Sequence, residues 1–194
     1  MANNINNIYE NIHTLISILK VKVYTAIMQK RFAAFGVKSR IETSSKLINP
    51  KLVKVGNNVY ICEHAWINSK DSQETGIPTL TIGDGTYIGR FSHINAWHKV
   101  IIEQNVLIAD RVFISDADHN YTDTNTPIRF QGDCFKSPVL LKEGCWIGIG
   151  AVILPGVTIG KNSIVAANSV VTKSVPDYSV VAGNPAKILK ELKH

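Results

Sequence analysis

The 194-residue chain reads as an all-β solenoid, a coil of three flat sides separated by corners. Three observations predict it. An isoleucine, leucine or valine recurs every six residues: Val55, Ile61, Ile67; Ile82, Ile88, Ile94; Ile102, Ile108, Ile114; then Leu141, Ile147, Ile153, Ile159, Val165 and Val171. That period fits neither a helix, which repeats every 3.6 residues, nor a simple strand, which repeats every two. Two positions ahead of each such residue stands a small or β-branched one, as at Val59, Thr86, Ser92, Val106, Cys145 and Ser163. Glycine often follows, as at Gly83, Gly89 and Gly148, where a missing Cβ eases a tight corner. The blocks predict about five stacked coils, each burying its inner face against its neighbours, so that stacking replaces a central core.

In chain order, residues 4–35 carry helical periodicity, with Ile5, Ile8, Ile12, Leu15, Ile16, Leu19, Val23, Ile27 and Met28 at spacings of three or four, and Gly36 as a stop. This segment, residues 1–36, is either a brace packed on the first coil or a neighbouring subunit, or an amphipathic contact with a membrane surface. The solenoid follows over residues 37–190. Its opening coil, through Ile41, Leu47 and Val53, looks imperfect because two residues slip before Val55. Residues 69–79 are polar and turn-rich, a surface excursion. Residues 120–138 form a longer insert, and the six-residue series resumes in register on both sides of it. After Val171 the series decays, and the basic tail reads as a short helix closing the stack.

Composition narrows the function. The apolar fraction of 45% is ordinary for a soluble domain. The three cysteines, Cys62, Cys134 and Cys145, form neither a disulfide framework nor a zinc knuckle, which points to a reducing, cytoplasmic setting. No leader peptide is expected, since Lys20 and Lys22 interrupt the single apolar run. The formal charge of +6 suits an anionic small ligand; without a dense Lys/Arg stripe or an aromatic platform it does not indicate nucleic acid.

Chemistry is expected at the long insert, because loops on a rigid scaffold commonly carry reacting groups. His119 stands at its mouth, at a coil corner, where a neutral imidazole can take a proton from a hydroxyl. Asp118 or Asp116 holds the ring tautomer. One coil earlier, also at a corner, His93 and Asn95 either position a substrate hydroxyl or serve as hydrogen-bonded corner residues. His64, His93 and His98 raise the idea of zinc, but their spacing lacks the convergence that metal requires, and no metal is assigned. Trp146, ahead of the Ile147-Gly148 corner, is too large for the narrow interior; it stacks on a ligand or sits at a subunit contact. Ala167, Thr172, Lys173 and Lys187 combine small side chains with separated cations, a groove that suits an extended pantetheine arm and its phosphorylated nucleotide.

The stretch CWIGIGAVILPGVTIGKNSIVAANSVVTKSVPDYSVVAGNPAKILKEL, with IGDGTYIGRFSHIN and VLIADRVFISDADHNYTD, resembles the left-handed β-helix acyltransferases built from hexapeptide repeats. The likeness covers roughly residues 52–190 and is greatest to the sugar O-acetyltransferase branch, which acts on galactosides, maltose, capsule, O-antigen or exopolysaccharide. It implies acetyl-CoA as acyl donor, a sugar hydroxyl as acceptor, and a homotrimer with its sites between subunits. It implies His119 as general base, Asn95 and His93 as acceptor-positioning residues, and an Ile149 N–H facing the thioester oxygen. Trp146, Ala167, Thr172, Lys173, Lys187 and Lys190 fall where the family holds coenzyme A. His93 replaces an asparagine of the family pattern, and Lys187 and Lys190 replace arginines, keeping charge but losing the planar fork. Serine acetyltransferases, amino-sugar N-acetyltransferases and non-catalytic solenoid scaffolds are the alternative readings.

Overall fold

The computed structural model describes residues 2–72 and 74–192, with side chains described from residue 12 onward, residue 13 excepted. A single α-helix, α1 (Ala2–Met28), leads through the short 3-10 turn Gln29–Arg31 into the solenoid. The helix thus ends before the predicted limit, and Gly36 follows a first strand at Ala34–Phe35 rather than terminating α1. The side chains of Ile5 and Ile8, counted above in the helical series, lie outside the described residues. Val21, Thr25 and Met28 are buried against the opening coil, and Met28 and Phe32 join the same apolar cluster as Ile41. Thr25 fixes the seat: its hydroxyl accepts the Ile41 N–H at 3.0 Å and donates to the Ile41 carbonyl at 3.3 Å.

The coil has three parallel faces. The first carries Ala34–Phe35, Val53–Val55, Leu80–Ile82, Val100–Ile102, Val139–Leu141 and Thr158–Ile159. The second carries Arg40–Ile41, Tyr60–Ile61, Tyr87–Ile88, Leu107–Ile108, Trp146–Ile147, Ile164–Val165 and Ser179–Gly183. The third carries Lys46–Ile48, Trp66–Ser69, His93–Ala96, Phe113–Ser115, Val152–Ile153 and Val170–Val171. Six rungs therefore stand where the repeat count predicted about five. The opening coil is a full rung, because its two-residue slip is absorbed by a 3-10 turn at Pro50–Leu52, entered through Asn49 at φ 50°.

Both sequence positions per repeat point inward. Ile61, Ile88, Ile108, Ile147 and Val165 are fully buried, and so are Thr86, Ser92 and Ser163 two residues ahead of such positions. Buried hydroxyls need partners, and the neighbouring coil supplies them: Thr86 donates to the Glu103 carbonyl, Ser92 to Ala109 and Ser163 to Pro176. The coil spacing is set by backbone contact at the corners. A Cβ on Gly148 would lie 2.7 Å from the Ala167 nitrogen, so a larger residue there would push two rungs apart.

The C-terminal end differs from expectation. Among the described residues the tail forms no helix: Ala186–Glu191 folds back antiparallel on Ser179–Gly183, which itself pairs parallel with Ile164–Val165. The last rung would otherwise present unpaired N–H and C=O groups, and a hairpin covers that edge where a helix would not. Ser179 and Val181 alternate inward while Val180 faces out, the two-residue period of a strand.

Candidate active site

The long insert leaves the corner between the third and first faces and begins earlier than the sequence indicates. Ala117–His119 is already a strand of a projecting arm, paired antiparallel with Asp133–Phe135, with His119 opposite Asp133. His119 therefore sits out on the arm, not at the coil corner. Its imidazole is 69% exposed and its Nδ1 lies 2.6 Å from Asp133 Oδ1. With Nδ1–H donated to that carboxylate, Nε2 carries the free lone pair, the form a proton acceptor needs.

The expected ring partners act otherwise. Asp118 accepts the backbone N–H of His119 at 2.8 Å. Asp116 is fully buried and its carboxylate accepts three backbone N–H groups, from Trp97, His98 and Lys99, at 2.8, 2.8 and 2.7 Å. Its carbonyl also receives the N–H of Lys136. Asp116 thus clamps the root of the arm to the preceding corner, while Asp133 orients the ring. Neither role was legible from spacing alone. The available signal was Gly132-Asp133 just ahead of an apolar pair, which marks the return strand of a hairpin. Farther out, Gln131 donates to the carbonyls of Asp123 and Thr126 at 2.7 and 2.6 Å, holding the tip in shape. Asp123 keeps a carboxyl below its ordinary range through hydrogen bonds from Thr126 and from the Asn125 N–H.

Below the arm lies the third face. Asn95 pairs in register with Ser115, directly under the strand that becomes the arm, and its Oδ1 accepts from Asn68 Nδ2 at 3.1 Å. His93 lies on the face, as the first residue of its strand, rather than at a corner. Its ring stacks on Trp66 with centroids 4.2 Å apart and meets the edge of Phe113 at 5.3 Å, and Lys46 Nζ sits 4.2 Å over the far side of Trp66. Burial pulls the His93 pKa below its usual value, with the Asn95 hydrogen bond opposing and Lys46 adding to the shift. The His93 Nε2 has no partner among the described residues.

The remaining predicted residues fall in two places. Trp146 lies on the flat second face, 46% exposed, in one outward column with Leu107, Ile164, Val180 and Lys190. At about 4.8 Å per rung, Trp146 and Lys190 are roughly 14 Å apart. Lys187, opposite Ala182, lies on the same closing hairpin. Ile149 and Ala167 occupy successive turns of the corner between the second and third faces; the Ile149 N–H has no acceptor among the described residues, while its carbonyl accepts from Asn168. Thr172 and Lys173 follow Val170–Val171 and so lie on the arm's corner, two rungs beyond it.

One chain does not bring the two groups together. His119, Asp133, Asn95, Thr172 and Lys173 border one edge of the third face; Ile149 and Ala167 border the other, about 20 Å away for a six-residue side.

The model of the bacterial transferase hexapeptide (six repeats) matches residues 138–173. The galactoside O-acetyltransferase of Escherichia coli is 32% identical over 160 residues, covering 79% of this chain and 71% of that protein. The chain belongs to the hexapeptide-repeat acyltransferase family. The family coil is a left-handed parallel β-helix, as the resemblance implied. A probable acetyltransferase of Mycobacterium tuberculosis is 37% identical over 124 residues, 64% of this chain; the match spans only 41% of that longer protein. Among solved structures, a hexapeptide-repeat acetyltransferase of Vibrio cholerae complexed with acetyl coenzyme A superposes with a TM-score of 0.57 at 27% identity, over 87% of this chain and 76% of that one.

Proposed function

We propose that this protein transfers an acetyl group from acetyl-CoA to a sugar hydroxyl, as a step in building a surface polysaccharide. The observation that carries the reading is the His119–Asp133 pair on a projecting arm, a base held in one tautomer with its basic nitrogen free. His119 Nε2 takes the proton of the acceptor hydroxyl as that oxygen attacks the thioester carbonyl carbon. The carbonyl oxygen gains charge and is met by the unpaired Ile149 N–H. The C–S bond then breaks, and the imidazolium returns its proton to the leaving sulfur. No enzyme nucleophile enters this sequence.

Because His119 and Ile149 border different edges of one coil, the site is completed by a second copy, in keeping with a homotrimer. One subunit supplies the arm, with Asn95 and His93 beneath it for the acceptor. Its neighbour supplies Ile149, Trp146 and Ala167, with Lys187 and Lys190 for the phosphates. Two names support the substrates: a relative that is a galactoside O-acetyltransferase and a neighbour solved with acetyl coenzyme A.

The test is thiol release from acetyl-CoA by the purified protein across a panel of sugars and amino sugars, with the product challenged by hydroxylamine. An O-ester is cleaved and an amide is not. Release that depends on a sugar and gives a labile product supports the reading; no release with any acceptor, or a stable product, refutes it.

A further inference from the structure

The stripe of α1 that faces away from the coil has no role in the reaction above. On a helix of 3.6 residues per turn, Ile12, Leu15, Ile16, Leu19, Val23 and Ile27 fall within an arc of about 120°. All six are exposed, Leu15 at 68% and Leu19 at 61%. The buried residues Val21, Thr25 and Met28 lie on the opposite side and seat the helix on the coil, so the stripe is the outward surface of a helix already anchored from behind. Lys20 and Lys22, both exposed, stand just outside its two edges.

Charge identifies the occupant. Residues 11–41 contain Lys20, Lys22, Lys30, Arg31, Lys38 and Arg40 and no acidic residue, whereas the rest of the chain balances fifteen basic against 15 acidic residues. Over α1 and the turn Gln29–Arg31, four cations (Lys20, Lys22, Lys30 and Arg31) face one acidic residue, Glu10, and Lys38 and Arg40 of the opening coil add two more cations beside them. A second copy of the same stripe would bring Lys20 and Lys22 against their like, with no carboxylate between Ile12 and Ile27 to pair them. An anionic bilayer neutralises them and accepts the apolar stripe, while lysines at its margins extend their heads to the phosphates and lay their stems on the apolar zone. Among the described residues no helix is long and apolar enough to cross a membrane, so the contact is one of lying on the surface.

The geometry points to α1 as a docking element for an anionic membrane surface, with Ile12, Leu15, Ile16, Leu19, Val23 and Ile27 entering the interface and Lys20 and Lys22 at its rim. This assignment does not depend on the proposed acetyl transfer.

The full chain is sedimented with vesicles of phosphatidylcholine alone and of equal parts phosphatidylcholine and phosphatidylglycerol, at about 0.1 M and about 0.5 M salt. Binding is expected to the anionic vesicles at low salt, with weak binding to the zwitterionic ones. The double variant K20Q/K22Q should weaken it on the order of 25-fold, since each cation contributes about fivefold. Leu15→Ser with Leu19→Ser should abolish it while leaving the thermal midpoint and the sedimentation mass in solution unchanged. Failure of the wild type to bind anionic vesicles, or equal binding to both compositions, overturns the assignment. So does a change of mass in the leucine variant, which would make the stripe a contact between copies.

Discussion

Asp133→Asn tests the site most directly, because it keeps the shape of the arm and removes one charge. The asparagine still accepts from His119 Nδ1 through its oxygen, in a contact of 2.6 Å in the native chain. What it loses is stabilisation of the imidazolium that forms as the acceptor proton moves. For a pair this exposed, 69% and 34%, the loss lies near the low end in open solvent, about 1 kcal/mol. When substrates cover the arm, it rises to about 3 kcal/mol, the upper range for a charge-assisted bond. Turnover should therefore fall roughly 5- to 150-fold, with KM for acetyl-CoA little changed. The assay is steady-state thiol release with the best acceptor from the panel, run on Asp133→Asn, His119→Ala and the double variant. If Asp133 acts through the ring, the double variant is no slower than His119→Ala alone. Asp133→Glu, which restores the charge one methylene farther out, should recover part of the loss. A single variant within twofold of wild type, or a double variant much slower than His119→Ala, would refute the orienting role.

Further outcomes follow from the same structure. His119→Ala should lower turnover by about 10²- to 10⁴-fold with an unchanged melting curve, as the ring is exposed and packs against nothing in the core; near-normal thiol release would remove the base from the mechanism. Cys145 is fully buried and burial pushes its thiol up to about 12, so iodoacetamide should leave it unmodified until the protein unfolds. Cys145→Ala should keep acetylation within about twofold and cost about 1 kcal/mol of stability, measured by denaturant titration. His93, whose pKa burial depresses in the folded state, favours the neutral ring. Its contribution is complete above the unfolded histidine value of about 6.5 and is lost as pH falls below it. The thermal midpoint should drop between about pH 7 and pH 5, and His93→Phe should flatten that limb; an unchanged slope would show that the stacked ring is not the group that titrates.

The solenoid was legible because its constraint is local and repeated. Each inward position sees the same narrow space, so Ile88, Ile108 and Ile147 give the same answer three rungs running, and the period survives the excursion at 69–79. The arm was not legible in the same way. Its hairpin is held by pairing between Ala117–His119 and Asp133–Phe135, across an insert with no repeat to set the register. The ring partner lies fourteen residues on from His119 rather than beside it, and Asp116 serves three backbone donors of an earlier corner. The basic tail misled for another reason. Ala186–Glu191 looks helical in isolation, and only the open edge above Ile164–Val165 makes a strand the better partner.

A coil of three faces also limits what one copy can assemble. The arm that carries His119 leaves the corner between the third and first faces, whereas Ile149 stands at the corner between the second and third. The arm does not cure this: its root is pinned by Asp116 to the corner it leaves, and its tip is closed on itself by Gln131. Under the proposed mechanism, the His119 base and the Ile149 N–H, which has no acceptor among the described residues, are halves that would meet only where two coils stand side by side. On this reading the exposed column of Tyr87, Leu107 and Trp146 is the floor on which the neighbour's arm closes. The reacting centre would then be formed by assembly, and a copy held monomeric should retain its fold and lose its turnover.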